Sequence, residues 1–185
     1  MKSVPSAIVH YRAVAVAGRE TRVGTEFGFQ RTTCGCKDCR RFCRHLPGNL
    51  IPSDLERMIP AGVDPYKWAE DNLRASPGPK VMNTQTGKVW TIPTLIPAHR
   101  SNGACIFFSP DGKCDIHSVA PFGCAFFDSH GRGEELVHKG LEAIMHLSED
   151  SLYLRIWSHL NDLGLVGRNL EEKHAALRAD FARGR

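Results

Sequence analysis

Two groups of cysteines are the residues of this sequence whose types and spacing are best suited to chemistry. The first group places four thiols within ten residues, and the second spreads three thiols over twenty residues. Thiolates are soft ligands that zinc ions and iron–sulfur clusters both favour, so the grouping predicts a site for Zn2+ or a [4Fe–4S] cluster. The predicted metal ligands are Cys34, Cys36, Cys39, Cys43, Cys105, Cys114 and Cys124.

Disulfides are the main competing use of so many cysteines, and the sequence argues against them. Seven is an odd number, so the cysteines cannot all pair within one chain. Residues 1–18 hold only a short apolar run with Arg12 beside it, which is unlike a secretory signal. We therefore expect a reducing cytoplasm, where grouped cysteines are more often metal ligands or catalysts. Cys105, followed by Ile106 and Phe107, has the best alternative interpretation as a buried core residue.

Two arrangements of the metal fit the sequence, because seven thiols exceed the four that one zinc ion or one cubane cluster needs. In the first, a single [4Fe–4S] cluster takes ligands from both groups, and the remaining cysteines bind zinc or lie nearby. In the second, each group builds its own site, and the second site is completed by a histidine or keeps an open position. His117 is the candidate nitrogen ligand because it lies between two cysteines, although a stacking or hydrogen-bonding role fits equally.

Asp128 and His130 are the candidate catalytic residues. They follow Cys124 closely and could form an acid–base pair or orient a ligand. The competing interpretation is a helix N-cap followed by an ordinary polar histidine. Phenylalanines of the second group, including Phe107 and Phe108, are expected to shield the site from water and oxidants.

The basic charge of the chain is concentrated at its beginning. Residues 1–44 hold nine Lys and Arg against three Asp and Glu, whereas the whole chain has a net charge of only +4. One interpretation is an anionic partner such as nucleic acid. The other is that Lys37, Arg40, Arg41 and Arg44 offset the negative charge of a thiolate-bound metal. No stretch approaches the ~18 apolar residues of a membrane helix, so no membrane partner is expected.

The elements that position the first group are predicted to be short. Ser53 and Glu56 have capping-box spacing and predict a helix that ends at Pro60. An aspartate N-cap at Asp64, followed by proline, predicts a second helix over residues 65–73. The residues before and between these helices are predicted to be loops.

Two hairpins are predicted in the middle of the chain. Residues 81–92 have the pattern of a small hairpin with Thr86 and Gly87 near its turn. Asp111 followed by Gly112 is a second turn signal, and a hairpin there would bring Cys105 and Cys114 together.

The last third of the chain has helical texture. Helices are predicted from residue 134, over residues 152–163 and over residues 169–183. The second of these carries Leu152, Ile156, Leu160 and Leu163 on one predicted face and is closed by Gly164. The predicted fold class is therefore α+β and loop-rich. Residues 1–185 form one domain, with a cysteine-cluster core at 34–130 and a helical segment at 134–183.

The second cysteine group also carries a longer motif. It runs Cys-Ile-Phe-Phe at 105–108, Asp-Gly-Lys-Cys at 111–114, Ile-His at 116–117, Ala-Pro at 120–121 and then Cys124. The first group is followed by Pro-Ser-Asp-Leu-Glu-Arg at 52–57. Over residues 34–130 this pattern resembles the CxxCxxCC-type cysteine-cluster proteins, a family described as zinc- or iron-chelating that includes flagellin lysine N-methylases.

The resemblance implies a metal and leaves the substrate open. The chain departs from the family pattern in having Cys39-Arg40 in place of an adjacent cysteine pair, and Ala120 where many members have arginine. Two functions follow as expectations. The first is a metal-cluster protein of redox or group-transfer type, similar to a methyltransferase. The second is a structural-zinc module that binds nucleic acid or a protein partner.

Overall fold

A computed structural model describes residues 35–82, 85–126, 133–168 and 170–183. Within helices, the side chains of residues 133–138 and 170–171 are not described. Cys34, Asp128 and His130 lie outside the described residues, as does most of the basic segment at 1–44. Among the helices described, none is both long enough and apolar enough to cross a membrane.

Short helices and two small antiparallel sheets form the fold, which is α+β as the sequence predicted. The strands nest as one hairpin inside another. Strand β1 pairs with β4 and strand β2 pairs with β3. The helices are α1 (Lys37–His45), α2 (Pro52–Met58), α3 (Pro65–Asn72), α4 (Phe122–Ala125), α5 (Gly133–Met145), α6 (Leu152–Asp162) and α7 (Leu170–Arg183), with a 3-10 turn at His117–Val119, and the strands are β1 (Leu73–Ser76), β2 (Lys80–Met82), β3 (Val89–Thr91) and β4 (Thr94–Pro97).

The inner hairpin was predicted and the outer one was not. Strands β2 and β3 match the predicted hairpin at 81–92, although β2 begins one residue earlier, at Lys80, which stands opposite Thr91. Strands β1 and β4 pair with Leu73 opposite Pro97, although both segments carry proline-rich neighbours that hide the strand pattern. Gly78 connects the two pairs at a φ of +70°, where a methyl group would lie 1.9 Å from the carbonyl oxygen of Ile92.

The N-cap of helix α2 lies two residues before the predicted Ser53, and a different residue satisfies its first turn. Ile51 is the N-cap and Pro52 the first helical residue. The carboxylate of Asp54 accepts the Ile51 N–H at 2.7 Å. Ser53 lies inside the helix, and within the described chain its buried hydroxyl has no hydrogen-bond partner. The predicted Ser53 cap was wrong because Asp54 satisfies the helix start from its third position.

One hydrophobic core joins the cysteine-bearing region to the C-terminal helices. Leu50, Leu73 and Leu95 pack in it with Ile156 and Leu160 of α6. The apolar residues before α5 show little periodicity because they come from short helices and strands. Burial of these scattered residues therefore orders the loop-rich part, in addition to any metal.

The buried face of α6 differs from the predicted one. Tyr153, Ile156 and Leu160 are buried, whereas Leu152 and Leu163 are 40% and 54% exposed. The predicted face was therefore correct at its two central positions and wrong at its ends. The buried residues of α6 are spaced three and four residues apart, beginning at Tyr153. The sequence analysis did not place Tyr153 on this face because its hydroxyl is polar.

Helix α7 packs against α1, the helix that carries two cysteines of the first group. Nε2 of His45 lies 2.8 Å from Oδ2 of Asp180. The guanidinium of Arg41 lies over the ring of Phe181, 4.4 Å from its centroid. The polar C-terminal helix thus packs along one side of α1.

Tyr153 joins three elements through one hydroxyl, which leads to a stability prediction. The hydroxyl accepts the N–H of Leu95 at 2.9 Å and donates to the carbonyl of Leu50 at 2.8 Å. We expect Tyr153→Phe to lower the free energy of unfolding by about 1–3 kcal/mol, because the buried Leu95 N–H would lose its partner and the Leu50 carbonyl would keep only the longer bond from the Asn49 amide at 3.4 Å. Urea denaturation measures the change. The control is Tyr66→Phe, which removes an exposed hydroxyl bonded to Arg155; equal losses in the two variants would contradict the prediction.

Candidate functional site

Five of the seven cysteines line one cavity of about 320 Å³. Its walls come from α1, from the loop that follows α1, and from the chain between residues 105 and 124. The structure thus brings two cysteines of the first group and all three of the second to one cavity, while the choice between one metal site and two stays a prediction. The thiols on the wall are those of Cys39, Cys43, Cys105, Cys114 and Cys124.

Four of these thiols interact electrostatically in every pairwise combination: Cys43, Cys105, Cys114 and Cys124. Although Cys43 as a residue is exposed, the partial burial of its thiol, followed by the neighbouring thiols of Cys114 and Cys39, raises its pKa to about 11. Burial also raises the pKa of Cys105 to about 12. The surrounding protein and the other three thiols raise the pKa of Cys124 well above its ordinary value. In the metal-free protein, these four cysteines are therefore thiols rather than thiolates at neutral pH.

Helix α1 places Cys39 and Cys43 on the cavity wall because residues four apart lie on the same helix face. Cys36 has a different position. It is the N-cap of α1, and its sulfur accepts the Cys39 N–H at 3.5 Å. Cys36 is absent from the residues that line the cavity in the described chain. Its predicted role as a ligand stays a prediction, as does that of Cys34.

The predicted turn at Asp111-Gly112 brings the second group together. Gly112 has a φ of +80°, and an antiparallel bridge joins Phe108 to Cys114. The hairpin is tied to the first group through the backbone, since the Cys105 N–H donates to the carbonyl of Arg44 at 2.8 Å. Cys105 is buried and also lines the cavity. Its position therefore fits both a core residue and a metal ligand.

Cys124 reaches the cavity through a close crossing of two backbone segments. A methyl group at Gly48 would lie 2.0 Å from the carbonyl carbon of Gly123. The Gly123 N–H donates to the carbonyl of Asn49 at 2.9 Å, and the Gly48 N–H donates to Cys124 Sγ at 3.1 Å. Only glycine allows the two backbone segments to come this close. The crossing therefore fixes the position of Cys124 relative to the loop after α1.

Asp54 stabilises the same crossing through hydrogen bonds to the backbone, a role that the sequence analysis did not predict. Its side chain is fully buried, and its Oδ2 accepts the Phe122 N–H at 2.9 Å, at the start of the helix that carries Cys124. Arg57 pairs with its other oxygen. Burial raises the pKa of Asp54, while Arg57 and the two backbone N–H groups oppose that shift. The signal in the sequence was the position of Asp54 two residues after Pro52, where a helix start favours a carboxylate.

The remaining wall is apolar with a few polar groups. Phe107 and Phe108 line the cavity, as the predicted shielding requires, and His117 lies there beside the thiols. Phe122 and Phe126 belong instead to a small core cluster with Ile51 and Ala125. Two cations, Arg40 and Lys113, lie on the same wall.

One basic residue of the first group has local partners, and a second lines the thiol cavity. Arg41 pairs with Asp38 at 3.4 Å and stacks on Phe181. Arg40 faces the cavity of thiols. These positions favour the local interpretation of the basic charge, in which cations offset thiolates.

The thiols stand around the cavity rather than around one point. Among the residues that the structure describes, no three His, Cys, Asp or Glu side chains are placed as ligands of a single metal ion. Comparisons of the chain with protein-family models, with curated proteins and with solved structures find no match. The family resemblance therefore stays a prediction from the motifs.

The raised thiol pKa values predict slow alkylation of the metal-free protein. At pH 8 a thiol with a pKa near 11 has a thiolate fraction roughly a hundredfold lower than one with a pKa of 9. We expect the rate of iodoacetamide modification at Cys43 and Cys105 to keep rising about tenfold per pH unit from pH 8 to pH 10. Peptide mass spectrometry measures the rates, with the protein unfolded in guanidinium as the control. A plateau near pH 9 in the folded protein would contradict the prediction.

The glycine crossing predicts a specific loss of stability. Gly123→Ala would place a methyl group 2.6 Å from the Asn49 nitrogen, so the two segments must separate. We expect a loss of about 1–3 kcal/mol in the free energy of unfolding, measured by urea denaturation. Gly35→Ala is the matched control, because the nearest atom to its new methyl group would be 3.9 Å away. Two variants of equal stability would show that the crossing is not constrained.

Proposed function

We propose that this protein binds an iron–sulfur cluster through Cys43, Cys105, Cys114 and Cys124. The single observation that carries the proposal is that these four cysteines, drawn from both cysteine groups, line one cavity. Four cysteine sulfurs are the ligand set of both [2Fe–2S] and [4Fe–4S] clusters. Cys39 lies beside this set as a fifth thiol.

The size and lining of the cavity support a cluster over one ion. A water molecule needs about 10–15 Å³ of such space, and the cavity measures about 320 Å³. The mostly apolar walls would keep water away from a cluster. Exclusion of water and hydrogen bonds to the sulfurs both tune the reduction potential of an iron–sulfur cluster. One such bond is present, from the Gly48 N–H to Cys124 Sγ at 3.1 Å.

The charges around the cavity are those that a thiolate set needs. Four thiolates carry four negative charges, more than a cluster core or a zinc ion neutralises. Arg40 on the same wall offsets part of the remainder, whereas Lys113 already pairs with Asp111 at 3.5 Å. A bound cluster would supply one-electron transfer, and ligation to it would keep the sulfurs deprotonated at neutral pH.

The proposed activity is redox or group-transfer chemistry at this cavity. Lys113 and His117 give it polar groups that could orient a substrate beside the metal. Asp128 and His130 stay candidates for acid–base roles in the same reaction. The reaction takes place in the cytoplasm in this proposal, since free thiols persist in a reducing compartment.

Structural zinc is the second candidate, because four thiolates are also a tetrahedral zinc set. In that case the protein is a binding module, and the basic residues of α1 and the segment before it form the surface for nucleic acid or a protein partner. Anaerobic purification followed by iron, sulfide and zinc analysis separates the two candidates. We expect a brown protein with iron and acid-labile sulfide; a colourless protein holding only zinc would favour the second candidate.

The ligand set makes its own prediction. We expect Cys114→Ala to lose the bound metal, since it removes one of the four mutually interacting thiols. Cys36→Ala is the control and should keep wild-type metal content, because Cys36 caps α1 away from the cavity wall. Metal content per chain by elemental analysis and the visible spectrum are the measurements. Full metal content in Cys114→Ala would refute the proposed ligand set.

A further inference from the structure

A second, smaller pocket contains a cluster of positively charged side chains. It measures about 180 Å³ and shares no lining residue with the thiol cavity. Its walls come from β1, from the turn after β4 and from the segment before α7. The polar side chains that line it are those of Arg74, His99, Arg100, Ser101 and Arg168.

Backbone carbonyls hold the three arginines in place without neutralising them. Arg74 Nη1 donates to the Glu70 carbonyl at 2.8 Å. Arg100 donates to the carbonyls of Phe108 and Ile106 at 3.0 and 2.6 Å, and Arg168 donates to that of Gly103 at 2.6 Å. Carbonyls carry no net charge, so the guanidinium groups are oriented and remain fully positive.

The described part of the chain provides no carboxylate to balance this charge. None of the ion pairs between described residues involves Arg74, Arg100 or Arg168. Lys173, a buried lysine of α7, adds to the positive surroundings. Burial, together with Arg168 and Lys173, lowers the pKa of His99 to about 4, as expected beside uncompensated positive charge.

Two buried nitrogens of the pocket residues also lack a partner. Arg168 Nε and His99 Nε2 are shielded from solvent and make no hydrogen bond within the described residues. A buried polar atom without a partner is unusual in folded proteins. Among the described residues, Arg168 Nε is thus a cationic donor without a partner, whereas the neutral ring of His99, which already bonds to the His45 backbone, adds no donor for an anion.

We propose that this pocket binds a phosphate-sized oxyanion, either free phosphate or the phosphoryl group of a small molecule. Several oriented guanidinium groups match the geometry and charge of phosphate oxygens. The pocket volume admits a phosphate group together with part of a larger ligand. The proposal does not depend on the thiol site, because it uses none of the cavity residues.

Ser101 offers a test that leaves every arginine contact intact. It is exposed and lines the pocket, so Ser101→Asp introduces a carboxylate beside the guanidinium groups, and Ser101→Asn introduces a neutral side chain of the same size. We expect Ser101→Asp to weaken phosphate binding roughly tenfold or more, because the new carboxylate repels and replaces the anion. Ser101→Asn should bind phosphate as the wild type does. Isothermal titration calorimetry in chloride buffer measures both affinities.

Thermal unfolding gives a second measurement of the same event. The melting temperature of the wild type should rise with phosphate concentration, since a ligand that binds only the folded state stabilises it. Ser101→Asp should lose that dependence and melt higher than the wild type in phosphate-free buffer. Arg168→Gln should lose it as well, whereas Arg178→Gln, an exposed arginine of α7, should keep it.

The source of the phosphoryl group is distinguished by titrating phosphate, adenosine monophosphate and adenosine separately. Tighter binding of the monophosphate than of phosphate indicates a larger phosphorylated ligand, and equal binding indicates free phosphate. Both results support the proposal if Ser101→Asp abolishes them. The proposal would be overturned if the wild type bound neither phosphate nor the monophosphate, or if adenosine bound as tightly as the monophosphate. Unchanged phosphate affinity in Ser101→Asp would overturn it as well.

Discussion

The buried carboxylate of Asp54 is the interaction on which the thiol cavity most depends. A fully buried charge is costly unless it is paired and hydrogen-bonded, and Asp54 meets that requirement with Arg57 and with the N–H groups of Ile51 and Phe122. These partners belong to two segments that are distant in sequence. Satisfying one carboxylate therefore requires the start of α2 and the start of α4 to meet, and Cys124 follows two residues later.

The other walls of the cavity are fixed by contacts of the same long-range kind. The Gly48–Gly123 crossing sets the distance between the loop after α1 and α4, and the Cys105 N–H joins the second group to Arg44. Below them, Tyr153 ties Leu50 and Leu95 to α6. The proposed cluster would thus bind to a fold that hydrophobic burial already stabilises. Metal binding would add to the stability of that fold rather than create it.

Local signals in the sequence predicted the elements well where one residue type has one strong preference. Asp64 caps α3, Gly112 and Gly87 form their turns, and Gly164 ends α6 in the left-handed region, as predicted. Prediction failed where a neighbouring residue took over a local role or where a pairing joined distant segments. Ser53 has capping spacing but lies within α2, and the outer β1–β4 pair is hidden by the prolines beside it.

The sequence by itself determined which chemistry is available: thiols in two groups, a turn that pairs two of them, and cations near the first group. These depend on residue type and short spacing, which local physics controls. Only the tertiary structure decided that Cys43 joins Cys105, Cys114 and Cys124 while Cys36 caps a helix, and that three arginines share a pocket without a described carboxylate. Both outcomes depend on backbone contacts between segments tens of residues apart, such as Gly48 with Cys124, whose pairing no local pattern records.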